Sequence, residues 1–151
     1  MARTIQGIDG LKELVGTDLG YTSYRTITQD QINTFADATD DHQWIHVDPE
    51  AAKQGPFGTT IAHGFLTLSL VSAMLPELLP VEGVTMGVNY GTNRVRFPAP
   101  VPVGSRIRLG ATLADVTDIA GGAQVQVNVT IEVEGATKPS MAAEILFRYY
   151  R

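Results

Sequence analysis

The sequence predicts an α+β fold in which one long apolar helix is wrapped by an antiparallel sheet. Two observations carry that prediction. Residues 62–75 are apolar nearly all round a helical circumference, with Phe65, Leu66, Leu70, Val71, Met74 and Leu75, and a helix without a polar face belongs in the middle of a fold. The second half of the chain changes period instead: Ile107, Leu109, Ala111 and Leu113 alternate with polar or small residues. So do Val125, Val127, Val129 and Ile131, and later Met141, Ala143, Ile145 and Phe147. Alternation of period two over such lengths marks antiparallel strands with one covered and one wetter face. A sheet of this kind has edges to protect, so pairing of edges in a homodimer is expected.

The elements follow in order. A short helix is expected over residues 9–15, with Asp9 as its N-cap and Gly16 just past its end. Residues 19–27, rich in Tyr and Thr, read as a strand. Thr28 followed by Gln31 is a capping-box signature, and Ile32, Phe35 and Ala36 supply the apolar stripe of a helix that stops near Thr39. Asp48-Pro49 pairs an N-cap with a proline at the first helical position, which starts a short helical segment through Lys53. Gly55, Pro56 and Gly58 keep the chain irregular to about Ile61. After the central helix come a less regular strand over residues 86–97 and the three alternating strands, with turns at Gly121-Gly122 and near Gly135.

Composition bounds the function. A length of 151 residues fits a single domain spanning residues 1–151, and 44% hydrophobic residues with a net charge of −5 exclude a disordered chain. No Lys/Arg cluster offers the electrostatic footprint of a nucleic-acid binder. The absence of cysteine removes disulfides, thiolate catalysis and Cys-ligated metal sites. The longest apolar run, residues 61–79, holds His63 and is broken by Pro76, so no membrane span is expected. Without a signal segment, the expected compartment is cytoplasmic.

The chemistry concentrates between Asp40 and His63, which contains all three histidines of the chain: His42, His46 and His63. Clustered groups that hold or pass a proton near neutral pH make a candidate site. The alternative reading is a polar loop whose aspartates cap helices and whose histidines face solvent. His42 and His46 stand four apart, but Gln43 occupies the place where a zinc-protease helix needs its glutamate base. The flanking Asp40-Asp41 and Asp48-Pro49 also argue against a helix through this stretch. A loop metal site from His42, His46 and Asp48 therefore ranks below an acid/base pair formed by Asp41 and His46. On a helix that pair would lie about 140° apart, so it converges only where the backbone curls. His63-Gly64 then opens the central helix, where backbone N–H groups lack intrahelical partners and Gly64 allows close approach of a ligand oxygen.

The run Asp41-His42-Gln43-Trp44-Ile45-His46-Val47-Asp48-Pro49, followed by Ile61-Ala62-His63-Gly64, resembles the hydratase-2 motif of MaoC-like (R)-specific enoyl-CoA hydratases. The later Asn89-Tyr90-Gly91-x-Asn93-x-Val95-Arg96-Phe97 resembles the nodulation-protein-N-like branch of that family. The resemblance implies a hot-dog fold, a homodimer with the site near its interface, and an acyl-CoA thioester substrate. It implies water addition to a trans-2-enoyl-CoA, giving the (R)-3-hydroxyacyl-CoA, with coenzyme A as part of the substrate and no metal or other cofactor. By position it assigns catalysis to Asp41 and His46, thioester binding to the Gly64 N–H, and support of the aspartate to Ser72. Gln43, His63 and Asn93 become supporting or substrate-contacting residues. Gln43 and Trp44 stand where the family usually has Asn-Pro, and Asp40 where it often has Gly. Two other functions remain in view: a hot-dog acyl-CoA thioesterase, although residues 62–75 lack the helix carboxylate that layout uses, and a non-catalytic acyl-CoA or acyl-carrier binding module.

Overall fold

The computed structural model describes residues 4–151. The chain opens with a two-residue strand, β1 (Ile5–Gln6), and a helix, α1 (Gly7–Glu13). This helix starts earlier than its expected Asp9 cap, because Ile8 and Leu11 both turn into the core; Gln6 stands at the N-cap position without a side-chain bond, and Asp9 sits in the first turn. The single strand expected over residues 19–27 is two, β2 (Asp18–Tyr21) and β3 (Arg25–Thr26). Thr22 explains the break: its hydroxyl accepts from the Leu109 N–H at 3.0 Å, and its own N–H donates to the Leu109 carbonyl at 2.8 Å. A side chain thus replaces one rung of the ladder.

Helix α2 (Gln29–Thr39) forms as its capping box predicts, with the Thr28 hydroxyl accepting from the Gln31 N–H at 3.1 Å. It ends at Asp40, which adopts a left-handed conformation with φ 59°. The stretch expected to avoid helix contains one helical turn after all, α3 (Trp44–Val47). Asp48 separates that turn from α4 (Pro49–Lys53), accepting from the Ala51 N–H at 3.1 Å as an N-cap should.

The central helix differs from expectation in two ways. It is built as α5 (Gly64–Ser69) and α6 (Val71–Met74), followed by a 3-10 turn at Leu75–Glu77 where Pro76 removes a donor. Bonds from Leu70 N–H to Leu66 O and from Met74 N–H to Leu70 O, each 3.0 Å, keep the two segments one rod. Nor is it covered all round: Leu66, Val71 and Met74 are buried, whereas Phe65 is 70% exposed and Ser69 and Ser72 also face outward. No described helix is long and apolar enough to cross a membrane.

After β4 (Val81–Glu82), which pairs in parallel with β1, the chain makes β5 (Met86–Arg96), β6 (Arg106–Ile119), β7 (Gly122–Val133) and β8 (Met141–Tyr150). The main sheet runs β2-β6-β7-β8-β5, with β3 also on β6 and every neighbouring pair antiparallel. Its inner residues Ile107, Leu109, Leu113, Val125, Val127 and Ile131 lose all solvent contact beneath the central helix. The β6–β7 turn holds Gly121 at φ +77°, and a side chain at Gly122 would place its Cβ 2.0 Å from the Tyr149 carbonyl oxygen. Strand β5 ends the sheet, carries two register shifts, and is exposed at every position except Val95.

Leu109→Ala is expected to cost about 2–5 kcal/mol through cavity creation, and Thr28→Ala about 1 kcal/mol through loss of the α2 cap. Urea unfolding followed by far-ultraviolet circular dichroism checks both values and their order.

Candidate active site

Asp41, His46 and His63 come together, although they stand on three different pieces of chain. Asp41 lies in the irregular link after α2, turned there by the left-handed Asp40. His46 sits within the single turn of α3, and His63 immediately precedes α5. One polar side-chain atom from each lies within 4.8 Å of the others; Asp41 is exposed and both imidazoles are buried. The backbone curl that the Asp41–His46 spacing requires is supplied by α3.

Hydrogen bonds fix both rings. The His46 Nδ1 lies 2.8 Å from the Ile61 carbonyl oxygen, which only accepts, so that nitrogen carries the proton and Nε2 keeps its lone pair. The His63 Nε2 is likewise 3.0 Å from the backbone carbonyl oxygen of Asp41. The two imidazoles stack with centroids 3.9 Å apart and planes 25° apart, and Phe35 packs against His63 at 4.9 Å. The His46 backbone is held in turn: the Gln29 Nε2 donates to its carbonyl at 2.8 Å, and the buried Thr60 hydroxyl donates to the Gln29 Oε1. Sequence reasoning missed Gln29, Thr60 and Phe35, because contacts spanning such sequence separations leave no local pattern.

The remaining candidates fall elsewhere. Gly64 is the first residue of α5, and the Phe97 ring would lie 3.2 Å from a Cβ there, so a side chain at this position would press on that ring. A cavity of about 300 Å³ beside it is lined by Phe57, Ile61, Ala62, Phe97 and Pro100. Gln43 precedes α3 with an exposed side chain that makes no cap bond; its carbonyl accepts from the His46 N–H at 3.0 Å. Trp44 folds over Gly55, where a Cβ would meet the indole at 2.8 Å. Ser72 lies about 12 Å of helix rise beyond Gly64 and has no hydrogen bond to Asp41 among the described residues. It lines a groove of about 270 Å³ with Asn89, Phe147 and Tyr149, whose phenol pKa is raised by burial. Asn93 is an exposed residue at a register shift of β5.

The loop-metal set of His42, His46 and Asp48 does not assemble. His42 pairs with Asp37 at 2.9 Å in solvent, and the Asp48 carboxylate caps α4. Among the described residues, Asp41, His46 and His63 form the group whose side-chain atoms lie close enough together to hold a divalent ion. One nitrogen of each ring is already engaged, His46 Nδ1 with the Ile61 carbonyl and His63 Nε2 with the Asp41 carbonyl, which leaves one nitrogen per ring for a further ligand. The arrangement as it stands suits proton transfer: a carboxylate and an imidazole nitrogen face one point beside a helix-opening N–H.

A sheet wrapped round one helix, with this cluster at the helix N-terminus, is the hot-dog layout that the sequence resemblance implies. Residues 11–135 match the family described as MaoC like domain. The chain is 52% identical to 3-hydroxyacyl-thioester dehydratase Z of Mycobacterium tuberculosis over 148 residues, 97% of this chain and 98% of the relative. It is 48% identical to nodulation protein N of Rhizobium meliloti over 139 residues, 90% of this chain and 86% of the relative. Its fold superposes on the (R)-hydratase from A. caviae involved in PHA biosynthesis with a TM-score of 0.73 at 22% identity, covering 88% of this chain and 94% of that one. The chain belongs to the MaoC-like dehydratase family.

His42→Gln should leave turnover within about twofold of the parent, since it removes only an exposed ion pair. Steady-state rates of the purified variant test this.

Proposed function

We propose that the protein adds water to trans-2-enoyl-CoA to give (R)-3-hydroxyacyl-CoA, or removes it in the reverse direction, without a metal or redox cofactor. The observation that carries this reading is the convergence of Asp41, His46 and His63 within 4.8 Å, next to Gly64. Water sits between the Asp41 carboxylate and the bare Nε2 of His46. The pair takes one proton as the water oxygen bonds to C3, and a proton is delivered to C2, so the net change is addition of H₂O across the double bond. The Gly64 N–H donates to the thioester oxygen while it bears enolate charge. The cavity beside Gly64 and Phe97 receives the acyl chain.

The active form is a homodimer in the cytoplasm. The dimer is supported by β5, which among the described strands has a neighbour on one edge only and exposes Met86, Val88 and Tyr90, and separately by the outward Phe65 of α5, which packs near Phe97 just past the far end of that strand. An open strand edge and an exposed aromatic are surfaces that a second copy covers.

Crotonyl-CoA tests the reaction, read as loss of the enoyl absorbance alongside release of free thiol. Loss of absorbance without thiol release is expected; thiol release alone makes the protein a thioesterase, and neither signal makes it a binding module. Asp41→Asn and His46→Gln should each lower turnover by at least about 100-fold while melting as the parent does. Phe65→Arg should shift the sedimentation coefficient from dimer towards monomer, and an unchanged dimer would place the interface elsewhere.

A further inference from the structure

The water-adding step uses one imidazole of the stacked pair and leaves the other without a task. We propose that His63 is the positioning residue of this site, fixing the distance and angle between Asp41 and His46 through its Nε2–H and its ring face. This rests on the hydratase reading above and assigns a role to a group that reading does not use.

Three contacts converge on one side chain. The Nε2–H donates to the backbone carbonyl of Asp41 at 3.0 Å, so it ties down the exposed link that carries the carboxylate. Its face lies 3.9 Å from His46, which prevents the His46 ring from swinging about the bond to Ile61 and leaves the Nε2 edge for chemistry. The Phe35 ring packs against His63 as well, at 4.9 Å and tilted by 51°. Because His63 adjoins Gly64, the same residue sets the carboxylate, the imidazole and the helix-opening N–H in one rigid unit.

The orientation of the ring carries a cost that purely structural packing would avoid. His63 is 2% exposed, and its Nδ1 is buried without a hydrogen-bond partner among the described residues. A buried acceptor left unmatched needs a reason. The reason here is geometric: the ring spends its one proton on Asp41, and a phenyl ring of similar shape would fill the space without leaving an orphan.

Two variants and one spectrum test the proposal. His63→Phe keeps the ring face and loses the bond; it should fold, keep KM for crotonyl-CoA within about threefold, and lower kcat by about 100-fold, as expected when a reacting group is misplaced. His63→Gln, whose side-chain amide reaches towards the Asp41 carbonyl, should recover at least about tenfold of that loss. Parent-like kcat in the Phe variant overturns the proposal, and so does a folded Gln variant no better than Phe. Independently of substrate, a long-range ¹H–¹⁵N spectrum of the parent protein should show His63 protonated at Nε2 and His46 at Nδ1, and the opposite tautomer at His63 overturns it. A parent protein inactive on crotonyl-CoA but with the expected tautomers would defeat the hydratase reading and leave the positioning geometry standing.

Discussion

The Ile61 peptide is the joint on which the site depends. Its N–H donates to Ile45 at 3.0 Å and its carbonyl accepts from the His46 ring at 2.8 Å, so one residue grips both the backbone and the side chain of α3. The next N–H, of Ala62, donates to Val101 at 2.8 Å and fastens the same segment to the approach to β6. The His46 imidazole on so short a turn would otherwise be poorly fixed, since one turn of helix has little stability of its own. Here the turn borrows its rigidity from the sheet and from the start of the central helix. The geometry of the chemistry is therefore as stable as the core.

That core is lopsided. The sheet covers one side of the central helix so completely that whole rows of β6 and β7 are dry, while the other side of α5 shows Phe65 to water. Among the described strands the main sheet runs out at β5, which has a neighbour on one edge only. The interior is thus closed, while Phe65 and the open edge of β5 stay in contact with solvent.

The fold was readable wherever a period was sustained. Strands β7 and β8 alternate along most of their length and β6 does so up to Leu113, and Thr28, Asp48 and Pro49 state their caps in the residues themselves. Legibility failed where a long-range contact overrode the local pattern: Thr22 interrupts a strand by bonding to Leu109, and α1 begins early because Ile8 has a core to reach. The two-residue pairing of β1 with β4 is too short to write a pattern at all. At the site, Asp41 and His46 could be named because five residues and a curl suffice to join them. The support from Gln29, Thr60 and Phe35 could not, since it depends on how α2 lies against the loop that precedes α5.

Asp40 has a consequence for how this chain can vary. At φ 59° it turns the backbone between the end of α2 and the Asp41 carboxylate, and only glycine, asparagine and aspartate visit that region at little cost. The position thus works as a narrow gate on sequence drift. Gly, Asn and Asp can interchange there without moving Asp41, whereas a β-branched residue, however conservative in polarity, would unwind the last turn of the helix and carry the neighbouring carboxylate away. Divergent copies of the gene should accumulate changes freely along the exposed side of α2 and almost none at this one turn.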